Sequence, residues 1–233
     1  MEVNPNLRIS TMTIISNIGS NIVLEKLFEN LESDDDIKYI EFGKKNKGVN
    51  TKKKRKPRKN IEKKYFYNQI TLHVYIDKII NLKIFNNGKL QMTGVKKQGQ
   101  AERAIEILIS KLSSIQNKGD ILDNFEIQQK DFKIVLINSD FHIRFKVKRD
   151  ILHRIVTSNG YYSSYEPSIY PGVNIKYYYN NLYNDGICRC LGDCSGKGLG
   201  MGDSDCKKVT IAVFNSGNII ITGGQSNNQL NTA

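Results

Sequence analysis

The chain has 233 residues, 39% of them hydrophobic, and a formal net charge of +12. That length supports one large core or two small ones, and the surplus of Lys and Arg points to a polyanion, most often nucleic acid. No apolar run of the roughly 20 residues a membrane helix needs is present, and residues 1–10 lack a charged-then-apolar leader pattern, so neither a membrane partner nor secretion is expected.

In chain order, Ile9, Thr11 and Thr13 alternate with Ser10, Met12 and Ile14, which reads as a strand. A helix is expected next, with Ile22, Val23, Leu27, Phe28 and Leu31 on one side and Ser20 as its N-cap. Residues 44–64 are basic and poor in large apolar side chains, and read as a solvated or partly disordered loop. A strand over residues 65–76 follows.

Residues 81–104 then align without a gap to residues 210–233. Phe85 meets Phe214, Asn86 meets Asn215, Gly88 meets Gly217, Thr93-Gly94 meets Thr222-Gly223, and Gln100 meets Gln229. Self-similarity at this separation indicates two copies of one half-domain. The division expected is residues 1–116 and 117–233, interrupted by insertions at 44–64 and 181–207.

Each copy reads as strand, turn, strand, helix, with Gly88 or Gly217 supplying a positive φ in the turn. Face matching sets the loop length. A two-residue turn would pair Ile84 with Gln91 and mix apolar with polar. A three-residue loop, Asn86-Asn87-Gly88, pairs Ile84 with Leu90 and Leu82 with Met92, collecting one apolar face. The same register groups Val213, Ile219, Ile211 and Ile221 in the second copy. The other face then carries Asn81, Lys83, Phe85, Lys89, Gln91 and Thr93 in copy one. In copy two it carries Thr210, Ala212, Phe214, Asn218, Ile220 and Thr222.

After Gly94, a helical stripe of Ala101, Ile105, Leu108, Ile109 and Leu112 is expected. Its counterpart begins near Asn228 and is expected to be cut short at Ala233. Upstream in copy two, residues 132–145 and 173–179 read as strands and 147–156 as a helix.

The segment SSYEPSIYPG at residues 163–172, the paired Phe…Thr-Gly hairpins and the opening Ile9-Ser10-Thr11 together resemble the TATA-box-binding protein family. The resemblance covers nearly all of the chain outside the two insertions, which point to a divergent, giant-virus type of member. It implies an α+β saddle of two pseudo-symmetric repeats, a curved antiparallel sheet with helices on its convex face. It also implies a non-enzymatic initiation factor that binds and bends A·T-rich duplex DNA through the minor groove. The competing reading is a protein-interaction scaffold that kept the fold with weak or sequence-blind DNA binding.

By the same resemblance, Phe85 and Phe214 are wedges that enter base steps, partnered by Phe66 and Tyr170. Thr93 and Thr222 reach groove-floor acceptors. Ile9 and Ile220 pack on sugars and base edges, with Gln91 replacing an apolar floor residue. Lys89, Lys96 and Lys176 meet phosphates. The asparagine that the family carries in the first strand of each repeat is matched by Leu7, and by Val135 or Leu136; Asn6 and Asn138 lie out of frame. Glu166 and Ile169 match contacts to a B-type initiation factor, so this factor and the RNA polymerase machinery are the implied partners. The implied compartment is the nucleus or a viral factory.

All four cysteines, Cys188, Cys190, Cys194 and Cys206, fall in the second insertion. Four thiolates can complete one tetrahedral structural zinc site; the alternative is four reduced thiols in a mobile hairpin extension. The glycine run beside them lacks phosphate-loop spacing. His73, His142 and His153 form no catalytic constellation, so no enzyme is expected.

Overall fold

The computed structural model describes residues 7–50, 65–183 and 185–233. In chain order its elements are β1 (Arg8–Asn17), α1 (Leu24–Asn30), β2 (Ile37–Phe42), β3 (Lys45–Gly48), β4 (Gln69–Tyr75), β5 (Ile79–Phe85), β6 (Lys89–Val95) and α2 (Gln98–Ser114). There follow β7 (Lys130–His142), α3 (Arg149–Ser158), β8 (Tyr162–Ser164), β9 (Val173–Tyr179), β10 (Lys207–Val213), β11 (Asn218–Gly224) and α4 (Asn227–Thr232). Among the described residues no helix is long and apolar enough to cross a membrane.

Two compact units divide the chain. The N-terminal unit is Met12–Lys133; the C-terminal unit joins the stretch up to Thr11 with Ile134–Ala233. In the N-terminal unit the strands lie in the order β3-β2-β4-β5-β6-β1, every neighbouring pair antiparallel. In the C-terminal unit the order is β7-β11-β10-β9-β8, again antiparallel throughout.

The hairpin register follows the face argument in both units. Leu82 pairs with Met92 and Ile84 with Leu90, and all four are buried. Ile211 pairs with Ile221 and Val213 with Ile219. The turns repeat at the level of single hydrogen bonds. The Gly88 amide donates to the Phe85 carbonyl and the Gly217 amide to the Phe214 carbonyl, each at 3.0 Å. The Ile18 amide donates to the Gly88 carbonyl, as the Ile143 amide does to that of Gly217. The Ile22 amide donates to Asn86, as Val147 does to Asn215.

Both helices after the hairpins are entered through the same side chain. The Gln100 amide oxygen accepts from the Lys96 amide at 2.8 Å, and the Gln229 oxygen accepts from the Gln225 amide at 2.7 Å. Each oxygen thus fixes the backbone one residue ahead of the N-cap. In α2 the packed side is Ala101, Ala104, Ile105, Ile107, Leu108 and Leu112. Ile109 is therefore not part of the buried stripe; Ile107 and Ala104 take its place, because the contact face drifts across the helix.

Three other expectations change. Ser20 does not cap α1, whose N-cap is Val23. The Ser20 hydroxyl instead donates to Asp123 at 2.9 Å, and the turn after β1 uses it to hold residues 123–124. Part of the basic stretch 44–64 is ordered: Lys45–Gly48 pairs with β2 as a hairpin closed at Gly43, φ +56°. Residues 51–64 lie outside the described residues. The second insertion is a folded loop, taken up below.

The Asp123 carboxylate accepts from Asn21 Nδ2 at 2.5 Å, Ser20 Oγ at 2.9 Å and the Asn21 amide at 2.7 Å. These bonds, the Asn21 side chain first, hold its pKa below the ordinary carboxylate value. A depressed folded-state pKa means the contribution is complete above the unfolded value and is lost as pH falls through the folded one. Asp123→Asn is accordingly expected to lower stability near neutrality and to flatten the acid limb of a urea-denaturation profile against pH.

Candidate nucleic-acid interface

In each unit the helix after the hairpin packs on the sheet. α2 contacts β5 and β6, and α4 contacts β10 and β11. Strand alternation puts the remaining side chains on the face without helices.

In the N-terminal unit this face carries Asn81, Lys83 and Phe85 from β5 and Lys89, Gln91 and Thr93 from β6. β4 adds Gln69, which pairs with Phe85 and accepts from Lys83 Nζ at 3.4 Å. β1 adds Ile15 opposite Gln91 and Asn17 opposite Lys89. An open concavity of about 390 Å³ is lined by Ile15, Asn17, Phe85, Lys89 and Gln91 among others. Ile15, overlooked in the sequence reading, returns beside Gln91 the apolar surface that Gln91 removes. Its alternation with buried Ile14 and Ser16 was the available signal.

In the C-terminal unit Thr210 pairs with Thr222 and Ala212 with Ile220, and Phe214 follows at the strand end. Lys176 lies opposite Thr210 on the same face and donates to its hydroxyl at 2.9 Å. Burial and, secondarily, the neighbouring Lys208 lower the Lys176 pKa. An ammonium held this way gains from an incoming anion. The same logic applies in the N-terminal unit, where burial and the proximity of Lys96 lower the pKa of Lys78.

The second open-face residue that sequence matching leaves out is Asn138. β7 pairs Asn138 with Thr222, and the Thr222 hydroxyl donates to the Asn138 side-chain oxygen. Asn138 thus shares the open face with Thr222, whereas Ile137 and Ser139 point into the core. Both sheets have a register shift at the Thr-Gly step, between Met12 and Ile14 and between Thr222 and Gly224. Two residues on from Asn138, Asp140 would bring negative charge. It is paired with Arg8 at 2.7 Å and accepts a hydrogen bond from Ser10.

Tyr170 and Phe214 meet edge to face, ring centroids 5.7 Å apart and planes at 61°. Gly172 makes room for this pair, since a Cβ there would approach the Tyr170 ring at 2.9 Å and the Phe214 ring at 3.3 Å. In the N-terminal unit Phe66 is exposed, and no ring contact joins it to Phe85 among the described residues. Register offers another equivalent. Val173 pairs with Val213 as Ile70 pairs with Ile84, so the residue standing as Tyr170 stands is Tyr67. Tyr67 is also exposed and packs its edge on Phe42 at 5.9 Å. Ile9 lies in the stretch of β1 assigned to the C-terminal unit and is half-buried.

The loop at 163–172 is braced by α3. Arg149 donates to the Pro171 carbonyl and stacks over Tyr165 at 5.3 Å, and His153 Nδ1 lies 2.9 Å from Ser163 Oγ. Ser168 donates to Glu166 at 2.7 Å, and Ile169 is left 84% exposed. An isoleucine presented so fully by a braced loop suits a partner's pocket.

The four cysteines converge, their sulfurs all within 4.8 Å of one another. Burial raises the pKa of Cys206 and of Cys190. At Cys194 burial also acts upward, but amide donors from Gly196 and Cys206 outweigh it and lower the value.

Comparison with known proteins gives three findings. A family model described as "Transcription factor TFIID (or TATA-binding protein, TBP)" matches residues 131–233. A "TATA-box-binding protein-like" protein of Acanthamoeba polyphaga mimivirus is 31% identical over 259 aligned positions, covering 98% of this chain and 63% of its own length. The "TATA-box-binding protein" of Dictyostelium discoideum is 28% identical over 142 positions, covering 61% of this chain and 51% of its own. The chain therefore spans about half to two thirds of the length of these relatives. Among solved structures, Methanococcus jannaschii TBP superposes with a TM-score of 0.57 at 22% identity, covering 97% of this chain and 92% of that one. At that identity the likeness speaks for the fold.

Proposed function

We propose that the chain, which is similar to TATA-box-binding proteins over most of its length, is a transcription initiation factor that binds A·T-rich duplex DNA in the minor groove and bends it. The observation that carries this reading is the recurrence, in both units, of one helix-free sheet face with a Phe at the hairpin edge and a Thr at the register shift. TATA-binding proteins kink duplex DNA by inserting apolar wedges from the minor groove, and the same mechanism is proposed for this chain. On this reading Phe85 and Phe214 enter base steps, with Tyr170 and an N-terminal aromatic, Phe66 or Tyr67, beside them. Thr93, Thr222 and Asn138 face adenine N3 and thymine O2. Ile9, Ile15, Ile220 and Gln91 line the groove floor, and Lys89, Lys96 and Lys176 meet phosphates.

Glu166 and Ile169 offer the docking point for a B-type initiation factor, which brings the polymerase machinery. No catalytic role is assigned, and the place of action is the nucleus or a viral factory. The four clustered thiols are read as ligands of one structural zinc.

The test is a competition between A·T-rich and G·C-rich duplexes at two salt concentrations. Preference for the A·T-rich duplex at both supports the reading; equal binding that vanishes with salt refutes it. In the same assay, Lys89→Ala with Lys96→Ala is expected to weaken all duplexes alike. The slope of log affinity against log salt should fall by about two, near one per phosphate contact. The scaffold reading is favoured by one feature, Leu7 in place of the first-strand asparagine, and it takes over if duplex binding is sequence-blind.

A further inference from the structure

The second insertion stands where the N-terminal unit has a three-residue turn. β4 and β5 are joined through Ile76, Asp77 and Lys78, Tyr75 pairing with Ile79. β9 and β10 end on the pair Tyr179–Lys207, so residues 180–206 replace that turn. In the N-terminal unit the turn anchors the following helix: Gln100 Nε2 donates to both oxygens of Asp77 at 2.8 Å. In the C-terminal unit the equivalent Gln229 Nε2 donates to the Leu199 carbonyl, inside the insertion, at 2.9 Å.

A loop of this length has no apolar core of its own. Leu191, Leu199 and Met201 are exposed. It is held by backbone bonds from Gly198 to Cys206, Gly200 to Asp205, Lys208 to Gly196 and Asn181 to Gly200. At its centre the Sγ atoms of Cys190 and Cys206 are 3.4 Å apart, and those of Cys206 and Cys188 3.8 Å. Four thiolates at about 2.3 Å from a tetrahedral zinc stand about 3.8 Å from one another. The sulfurs are also supplied with donors: the Ser204 amide on Cys190 at 3.0 Å and Asn180 Nδ2 on Cys206 at 3.4 Å. Such outer contacts stabilise thiolate charge around a metal.

We propose that Cys188, Cys190, Cys194 and Cys206 hold one zinc ion, and that the metal-folded loop does for α4 what the Asp77 turn does for α2. Metal binding is then part of the folding of the C-terminal unit, since the loop that presents the Leu199 carbonyl to Gln229 is ordered through the metal. This stands apart from the DNA reading, and its test does not involve DNA.

The full chain, purified under reducing conditions with Zn²⁺, is expected to carry one zinc by elemental analysis. Co²⁺ in its place should give the visible bands of a tetrahedral thiolate site. Chelation of the wild-type protein is expected to raise hydrogen exchange at the Gly198, Gly200, Lys208 and Leu230 amides at least tenfold. Leu90 and Met92 in the N-terminal unit should not change. Cys188→Ser with Cys194→Ser should abolish stoichiometric zinc. Absence of bound zinc, a native disulfide among the four, or undiminished protection of Leu230 after chelation would each overturn the proposal.

Discussion

Replacing Phe85 and Phe214 together by Ala is expected to weaken binding to an A·T-rich duplex by roughly a hundredfold or more while leaving the fold intact. Each ring stands at the end of a hairpin strand on the face without helices, and neither is buried in a core. Stacking of a base on an aromatic side chain is worth about 1–3 kcal/mol by alanine substitution, and the proposed mechanism uses two wedges. The loss should exceed simple stacking, because unstacking a base step costs a few kcal/mol that only an inserted side chain offsets. Without wedges the duplex stays straight and the groove floor does not reach Thr93, Thr222 and Asn138. Fluorescence anisotropy reads the affinity, and energy transfer between labelled duplex ends reads the bend. The thermal midpoint of the double variant should stay within a few degrees of wild type. Tyr170 alone in the Phe214→Ala variant lacks its edge contact, so single variants should already lose part of the bend.

Gly217→Ala is expected to destabilise the C-terminal unit by about 3 kcal/mol or more. Its φ is +87°, where an L side chain costs about 1–2 kcal/mol. A Cβ there would also lie 2.2 Å from the Phe145 carbonyl oxygen, which is backbone and cannot swing aside. Gly88 meets the same limits, with φ +72° and a Cβ position 2.2 Å from the Ser20 carbonyl oxygen. The turn must open, and with it go the Gly217 amide bond to Phe214 and the Ile143 amide bond to Gly217. Phe214 leaves its position, so DNA binding should fall with stability. Urea denaturation followed by circular dichroism measures the first effect. Gly172→Ala serves as the control, since it crowds the Tyr170–Phe214 pair without requiring a positive φ.

The hairpins were legible in the sequence because two independent constraints agreed there. Alternation at Leu82, Ile84, Leu90 and Met92 excludes a one-residue slip, and the glycine position selects among the registers that remain. The helix after each hairpin was legible in existence but not in its boundary or face. Ile109 has the right spacing, yet Ala104 and Ile107 are buried and Ile109 is not, and spacing alone does not disclose where the packed face lies. Ser20 has the composition of a cap, but a distant carboxylate, Asp123, claims its hydroxyl. Along the strand, Asn138 falls out of frame with the family pattern. Its role appears only across the strand, in its pairing with Thr222. The choice between Phe66 and Tyr67 is of the same kind. Both follow the basic stretch, where sequence matching loses count and strand pairing does not. The cysteine insertion has no periodicity to read at all: its order comes from glycine turns and converging sulfurs, which spacing of the type C-x-C-x3-C does not disclose.

The central claim, that the chain binds an A·T-rich duplex and kinks it, is tested most directly by the end-to-end distance of a labelled duplex on addition of the wild-type chain. A shortened distance, saturating at one protein per duplex and absent with a G·C-rich duplex, is the result expected. Saturable binding with an unchanged end-to-end distance would contradict it, since the wedges would then not be entering the base steps.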